Sequence, residues 1–180
     1  MQMTQTAFLE RSRYYLAYEY PTKIRLGLSP VDEQVIWKRA NPESNSIGNL
    51  MLHLAGNIRQ WIVGGVGGEA ADRDRAAEFA ATGGYTKPEL IAMLDASVRD
   101  ADAVLASLSD SDLDRAVEIQ GRDTTIIAAV YHVVEHFSMH TGQIIMLAKM
   151  FAPGAVKFYE NAGGTAVPLW GGNERMAPKI

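Results

Sequence analysis

The stretch of sequence that decides the fold is residues 124–150, TTIIAAVYHVVEHFSMHTGQIIMLAKM. Its apolar residues recur at intervals of three and four, which is typical of an α-helix with one buried face. Three of the four histidines of the chain lie in it, namely His132, His136 and His140. Each step of four residues adds about 40° of rotation and about 6 Å of rise, so the three imidazoles share one stripe of the helix.

The same periodicity predicts three further helices, each bounded by capping residues or by Gly and Pro. The predicted helices run from about Thr4 to Tyr20, from an N-cap at Asn45 or Ser46 to Val63, from Thr86 to Leu108, and from an N-cap at Thr124 or Thr125 to Met150. Pro21 is expected to kink or restart the first helix. Period-two alternation persists nowhere, so we predict an all-α fold, a four-helix bundle with long connections.

The connections and the tail are marked by glycine, proline and charge. Residues 64–85 are expected to form a long surface loop, in which the charge run 72–75, Asp-Arg-Asp-Arg, is solvated. A length of 180 residues suits a single domain. We therefore predict a helical bundle over residues 1–155 and an irregular C-terminal tail over residues 156–180 that packs on it.

Composition excludes several function classes. The net charge of −4 argues against nucleic-acid binding, which depends on clustered Lys and Arg. The chain has no cysteine, which excludes disulfides, thiolate metal sites and a cysteine nucleophile. Neither a signal peptide nor a stretch of about 18 apolar residues is recognisable, so we expect a cytoplasmic protein without a membrane partner.

The histidine stripe favours a metal site. Two imidazoles four residues apart on a helix can bind one ion, but His132 and His140 are about 12 Å apart along the axis. The spacing therefore allows either the pair His132 and His136 or the pair His136 and His140. A hydrogen-bonded core role is the simpler interpretation of one buried histidine, but several buried imidazoles without partners would be costly.

The fourth histidine, His53, lies in the second predicted helix between an apolar and a polar stripe, where it could line a pocket. Asn49 and Asn57 flank it at a spacing of four residues, and Gln143 falls on the histidine stripe of the last helix. These three side chains, together with His132, are candidates for outer support of a metal or for contact with a substrate. Glu135 points away from the stripe, so a catalytic role is not expected for it.

Two segments together resemble a known family. Residues 45–57, NSIGNLMLHLAGN, followed by residues 132–144, HVVEHFSMHTGQI, are similar to the DinB-like superfamily of bacterial metal-binding four-helix bundles. The resemblance implies that the metal ligands are His53, His136 and His140, and that His132 lies beside the site. It also implies a homodimer. Many members have Arg where Thr141 stands here.

The resemblance also suggests an activity, because characterised relatives include thiol S-transferases and an isomerase that use low-molecular-weight thiols. Our leading hypothesis is a metal-dependent transferase that acts on a small-molecule substrate with such a thiol. A metal-dependent hydrolase and a non-catalytic metal-binding or ligand-binding stress protein are the alternatives. Neutral imidazoles suit several divalent transition metals, and we expect zinc or nickel.

Overall fold

The computed structural model describes residues 4–70 and 72–171, and within them the chain is mostly helical. The α-helices are α1 (Thr4–Arg13), α2 (Tyr20–Leu28), α3 (Ile47–Ile58), α4 (Arg75–Ala80), α5 (Lys87–Ser107) and α6 (Ile126–Phe151). Two π-helical segments, Tyr14–Glu19 and Arg59–Val66, continue α1 into α2 and extend α3. Short 3₁₀ turns lie at Glu33–Val35 and Asp110–Asp112.

Local sequence explains where the long helices begin. The Ser46 hydroxyl accepts a hydrogen bond from the Asn49 amide, and the Asn49 side chain accepts one in return from the Ser46 amide, forming a capping box at α3. Thr86 and Glu89 form the same arrangement at α5, and Thr125 caps α6. Pro21 lies in the first turn of α2, directly after the π-helical segment Tyr14–Glu19. The predicted starts of α3, α5 and α6 are therefore confirmed.

Two small antiparallel hairpins correct the all-α prediction. Strand β1 (Ala116–Ile119) pairs with β2 (Arg122–Thr125), and β3 (Tyr159–Ala162) pairs with β4 (Thr165–Pro168). Each is closed by two residues with positive φ, Gln120 and Gly121 in one hairpin and Gly163 and Gly164 in the other. Tight hairpin turns require this backbone conformation, which glycine adopts without strain.

The core lies where α2, α3, α5 and α6 face one another. Helix α3 contacts both α5 and α6, and α6 also contacts α2. Phe137 and Ile144 of α6 and Leu50 and Leu54 of α3 are almost completely buried there. The described chain is mostly helical with two small sheets, and the narrower description as a four-helix bundle stays a prediction.

The connection predicted as a loop over residues 64–85 is partly helical. The π-helical extension of α3 runs to Val66, three residues past the predicted end, and α4 occupies Arg75–Ala80. The Asp74 side chain caps α4 by accepting from the Ala77 amide, and Asn49 of α3 donates to the carbonyl oxygens of Glu78 and Ala81. A helix of six residues is too short for its periodicity to be recognised in the sequence.

The C-terminal segment also differs from the predicted irregular tail, because residues 159–168 form the second hairpin. Phe158 lies beside Gly27 of α2, and the Lys23 ammonium lies 4.3 Å from the centre of the Trp170 ring. Residues 172–180 lie outside the described part of the chain, and the division at residue 155 stays a prediction. No helix among the described residues is long and apolar enough to cross a membrane.

Gly48 and Gly142 are helical glycines in opposite surroundings, which gives a test of the packing. A Cβ atom at Gly48 would lie 2.6 Å from the Trp37 ring, whereas one at Gly142 would have no neighbour within 4 Å. We expect Gly48→Ala to lower the free energy of unfolding by about 1–3 kcal/mol through overpacking. Gly142→Ala should raise it by about 0.5–1 kcal/mol, because alanine favours the helix.

Urea unfolding followed by circular dichroism measures both free energies. A Gly48→Ala variant as stable as the wild type would contradict the described packing of α3 against Trp37.

Candidate metal centre

Helices α3 and α6 bring three histidines together. The ligand atoms of His53, His136 and His140 all lie within 4.8 Å of one another. His53 and His140 are 3% and 7% exposed, and His136 is half-buried, so the cluster opens towards solvent on the His136 side. The alternative pairing that the spacing allowed, His132 with His136, is not the one grouped with His53 here.

The nitrogen atoms are arranged as metal ligands would be. Nε2 of His53 and Nε2 of His136 face each other at 2.9 Å, close to the roughly 3.3 Å expected for two nitrogens on one tetrahedral zinc ion. Nδ1 of His140 lies 2.7 Å from Oε1 of Gln143. A glutamine oxygen only accepts hydrogen bonds, so Nδ1 of His140 carries the proton. Nε2 of His140 then has a lone pair that is available to bind a metal.

Two of the three imidazoles, those of His136 and His140, are held in the neutral form that metal binding needs. Burial, assisted by the neighbouring His140 and His53, lowers the pKa of His136 to about 3. Burial also lowers the pKa of His140, with a smaller opposing effect from the hydrogen bond to Gln143. A cluster of neutral nitrogen donors suits zinc, nickel and other borderline divalent metals, so these residues fit the ion implied by the sequence.

A buried ion pair lies behind His53. Nδ1 of His53 is 2.9 Å from Oε2 of Glu78. Oε1 of Glu78 accepts a hydrogen bond from Nε of Arg73 at 2.6 Å. The side chains of Arg73 and Glu78 are 5% and 10% exposed. Burial acts to raise the pKa of Glu78, but the hydrogen bonds and charge of Arg73, together with His53, outweigh it and lower that pKa. Glu78 is therefore an ionised carboxylate beside a candidate ligand.

Sequence reasoning missed this pair. Arg73 belongs to the charge run expected to be solvated, and that expectation is wrong for Arg73, whereas Asp72 and Asp74 are exposed. Glu78 lies in α4, inside the segment predicted as a loop. One signal of the pair was present in the sequence. Gly56 lies inside the predicted helix one turn after His53, and a glycine at such a position usually indicates that another group packs closely against the helix.

The other predicted residues have separate positions. The His132 ring contacts the Trp61 ring in a tilted arrangement, with 4.3 Å between ring centres. It lies 5.3 Å from the His136 ring, beside the cluster but outside the ligand group. Asn49 holds the backbone around Glu78 by its hydrogen bonds to residues 78 and 81. Asn57 is buried on α3 one turn beyond His53, and its role stays a prediction.

A cavity of about 510 Å³ lies on the outer side of the ion pair. Gln60, Arg73 and Glu78 line it together with Tyr85 and Met93. The histidines are not among its lining residues. The cavity therefore borders Arg73 and Glu78 but not the candidate ligand nitrogens of the histidines.

Comparison of the sequence with known protein families identifies the family of this chain. The family described as "Protein of unknown function (DUF1572)" matches residues 4–160, which is most of the chain. The chain belongs to this family. No curated protein matches the sequence of this DUF1572 protein.

Among solved structures, the DUF1572 protein is similar to a DinB-like protein, YjoA, of Bacillus subtilis. The TM-score is 0.62 at 17% sequence identity, and the match covers 83% of this chain and 97% of that one. The likeness is one of fold, and it confirms the DinB-like fold that the resemblance of residues 45–57 and 132–144 implies.

The low pKa of His136 predicts a dependence of stability on pH in the metal-free protein. An unfolded histidine takes up a proton near pH 6.5, whereas folded His136 does so only near pH 3. Between these values the unfolded state binds more protons, so the free energy of unfolding falls as the pH is lowered from about 6.5. We expect the His136 ring resonances to remain unshifted between pH 7 and pH 5 in NMR spectra.

Urea unfolding at both pH values provides the second measurement, with His136→Gln as the control that loses part of the pH dependence. Titration of His136 near pH 6.5 in the folded protein would contradict the described burial.

Proposed function

We propose that the protein binds a divalent transition metal, zinc or nickel, through Nε2 of His53, His136 and His140. The observation that carries this proposal is the convergence of these histidines, with two Nε2 atoms 2.9 Å apart and the ligand atoms within 4.8 Å. Convergence of neutral nitrogens is costly without a shared partner, and a cation removes that cost. Three ligands also leave a coordination position open, as in catalytic rather than structural sites.

We further propose that the bound metal serves a transferase reaction with a low-molecular-weight thiol. A metal ion at the site supplies a Lewis acid that lowers the pKa of a thiol, so that thiolate is available at neutral pH. In the transfer itself the sulfur forms a bond to an electrophilic carbon, the leaving group departs with its electron pair, and the thiol proton is released. The chain has no cysteine, so the thiol comes from outside.

The residues of the chain have defined roles in this proposal. His53 and His140 form the buried side of the site, and the half-buried His136 marks the side from which a thiol and an electrophile approach. The His132 and Trp61 rings lie against each other next to His136, inclined at 47°, and provide an aromatic surface for an apolar part of the substrate. Burial lowers the pKa of His132, which keeps that surface uncharged at neutral pH.

A hydrolase would need a general base within reach of a metal-bound water. Glu78 is the carboxylate that contacts the cluster, but it lies on the Nδ1 side of His53 and is engaged by Arg73. This position is on the far side of the ring from Nε2. The geometry therefore favours the transferase over the hydrolase.

The test combines metal content with activity. Protein loaded separately with zinc and with nickel is analysed for metal, then incubated with an alkylating electrophile and, in turn, each common bacterial thiol. We expect about one ion per chain in the wild type and conjugation with at least one thiol. His53→Ala and His136→Ala should lose both, because each removes a ligand.

His132→Ala is the matched control, since it removes a histidine of the same helix face that lies outside the ligand group. It should retain the metal. Loss of metal in His132→Ala with retention in His140→Ala would overturn the ligand set, and absence of conjugation with every thiol by the loaded wild type would overturn the transferase.

A further inference from the structure

Nδ1 of His53 lies between two groups that would set its protonation in opposite ways. Oε2 of Glu78 and Nη2 of Arg73 are each 2.9 Å from it. A proton on Nδ1 would be donated to the carboxylate and would leave Nε2 free for a metal. A hydrogen bond from the guanidinium to Nδ1 would instead place the proton on Nε2 and block that nitrogen.

The hydrogen-bond partners of Arg73 favour the first of these two arrangements. Its Nε donates to Oε1 of Glu78 at 2.6 Å, and its Nη1 donates to Oε1 of Gln60 at 2.9 Å. Nη2 has two hydrogens, and besides Nδ1 two oxygen acceptors lie within reach, namely Oε2 of Glu78 at 2.7 Å and the carbonyl oxygen of His53 at 3.3 Å. These two oxygens can accept both hydrogens of Nη2, which leaves Nδ1 of His53 to donate to the Glu78 carboxylate.

We propose that Arg73 and Glu78 are positioning residues that hold His53 with its proton on Nδ1 and with Nε2 directed towards the metal. The inference rests on the proposed metal site and adds the device that prepares one of its ligands. The pair acts without touching the ion, because Glu78 contacts the opposite nitrogen of the ring. Carboxylate partners of this kind orient metal-binding histidines and increase their basicity.

The helix that carries His53 is shaped to admit the pair. A Cβ atom at Gly56 would collide with Oε1 of Glu78 and would come within 2.8 Å of Nε of Arg73. Glycine in a helix interior lowers helix stability, so its presence here is explained by the close approach of these two side chains. Asn49, one turn before His53, fixes the carbonyl oxygen of Glu78 from the same helix.

The test uses zinc affinity, measured by competition with a chelator, and the tautomer of His53, measured by long-range proton–nitrogen NMR of the metal-free protein. We expect Nδ1 of His53 to be protonated in the wild type. Glu78→Ala should weaken zinc binding about 10- to 100-fold and shift His53 towards the tautomer protonated on Nε2.

Three further variants separate positioning from support of the fold. Asp74→Ala removes the cap of α4 without altering Glu78, and it should keep zinc affinity within about twofold of the wild type if the carboxylate itself matters. Gly56→Ala keeps both charged groups but displaces them, and it should resemble Glu78→Ala. The double variant Arg73→Met/Glu78→Leu preserves volume without a buried unpaired charge, so it should fold and still lose affinity.

Wild-type affinity and tautomer in Glu78→Ala, or an equal loss of affinity in Asp74→Ala, would overturn the inference. If the wild type itself binds neither zinc nor nickel, the proposed function fails. The NMR measurement then still decides whether Glu78 sets the tautomer of His53.

Discussion

The approach of α3 to α6 at His53 and His136 is the constraint on which the described site depends. Two imidazole nitrogens face each other at 2.9 Å in a region where the neighbouring side chains are buried. Such an arrangement is stable only if every polar atom around it has a partner. The chain provides those partners on the outer side of the rings, through Gln143 for His140 and through Glu78 and Arg73 for His53.

This constraint accounts for several features outside the histidines. Gly56 makes room for the ion pair. Asn49 forms part of the capping box of α3 and also donates a hydrogen bond to the carbonyl oxygen of Glu78 in α4. Glu78 and Arg73 cancel each other in charge, and burial favours the neutral form of His136 and His140. The positive charge of a bound divalent ion would therefore not be offset by its ligands or by the ion pair. This favours an anion such as a thiolate at the open coordination position.

The sequence predicts the helical part of the fold well because long periodic segments carry strong signals. The Ser46, Thr86 and Thr125 caps and the stripe of histidines on α6 are all readable from spacing alone. Spacing alone left two histidine pairs open on α6. The choice of His136 and His140 came from the family resemblance, and the structure groups these two with His53.

What the sequence could not predict are contacts between segments distant in the chain. Arg73 and Glu78 meet His53 across 20 and 25 residues, and a charge run beside glycines resembles a solvated loop until its partners are known. Val117 and Ile119 could be expected to form a short extended piece, but the pairing into hairpins was not predicted, since strands of four residues are too short to show alternation. Both omissions concern short elements stabilised by tertiary contacts rather than by their own periodicity.

An anomalous-difference map from crystals of the zinc-loaded protein, collected at the zinc absorption edge, tests the central claim most directly. We expect one peak within about 2.0–2.1 Å of Nε2 of His53, His136 and His140, with a further position open towards solvent. A peak bonded to His132 in place of His140, or no peak at these histidines, would contradict it.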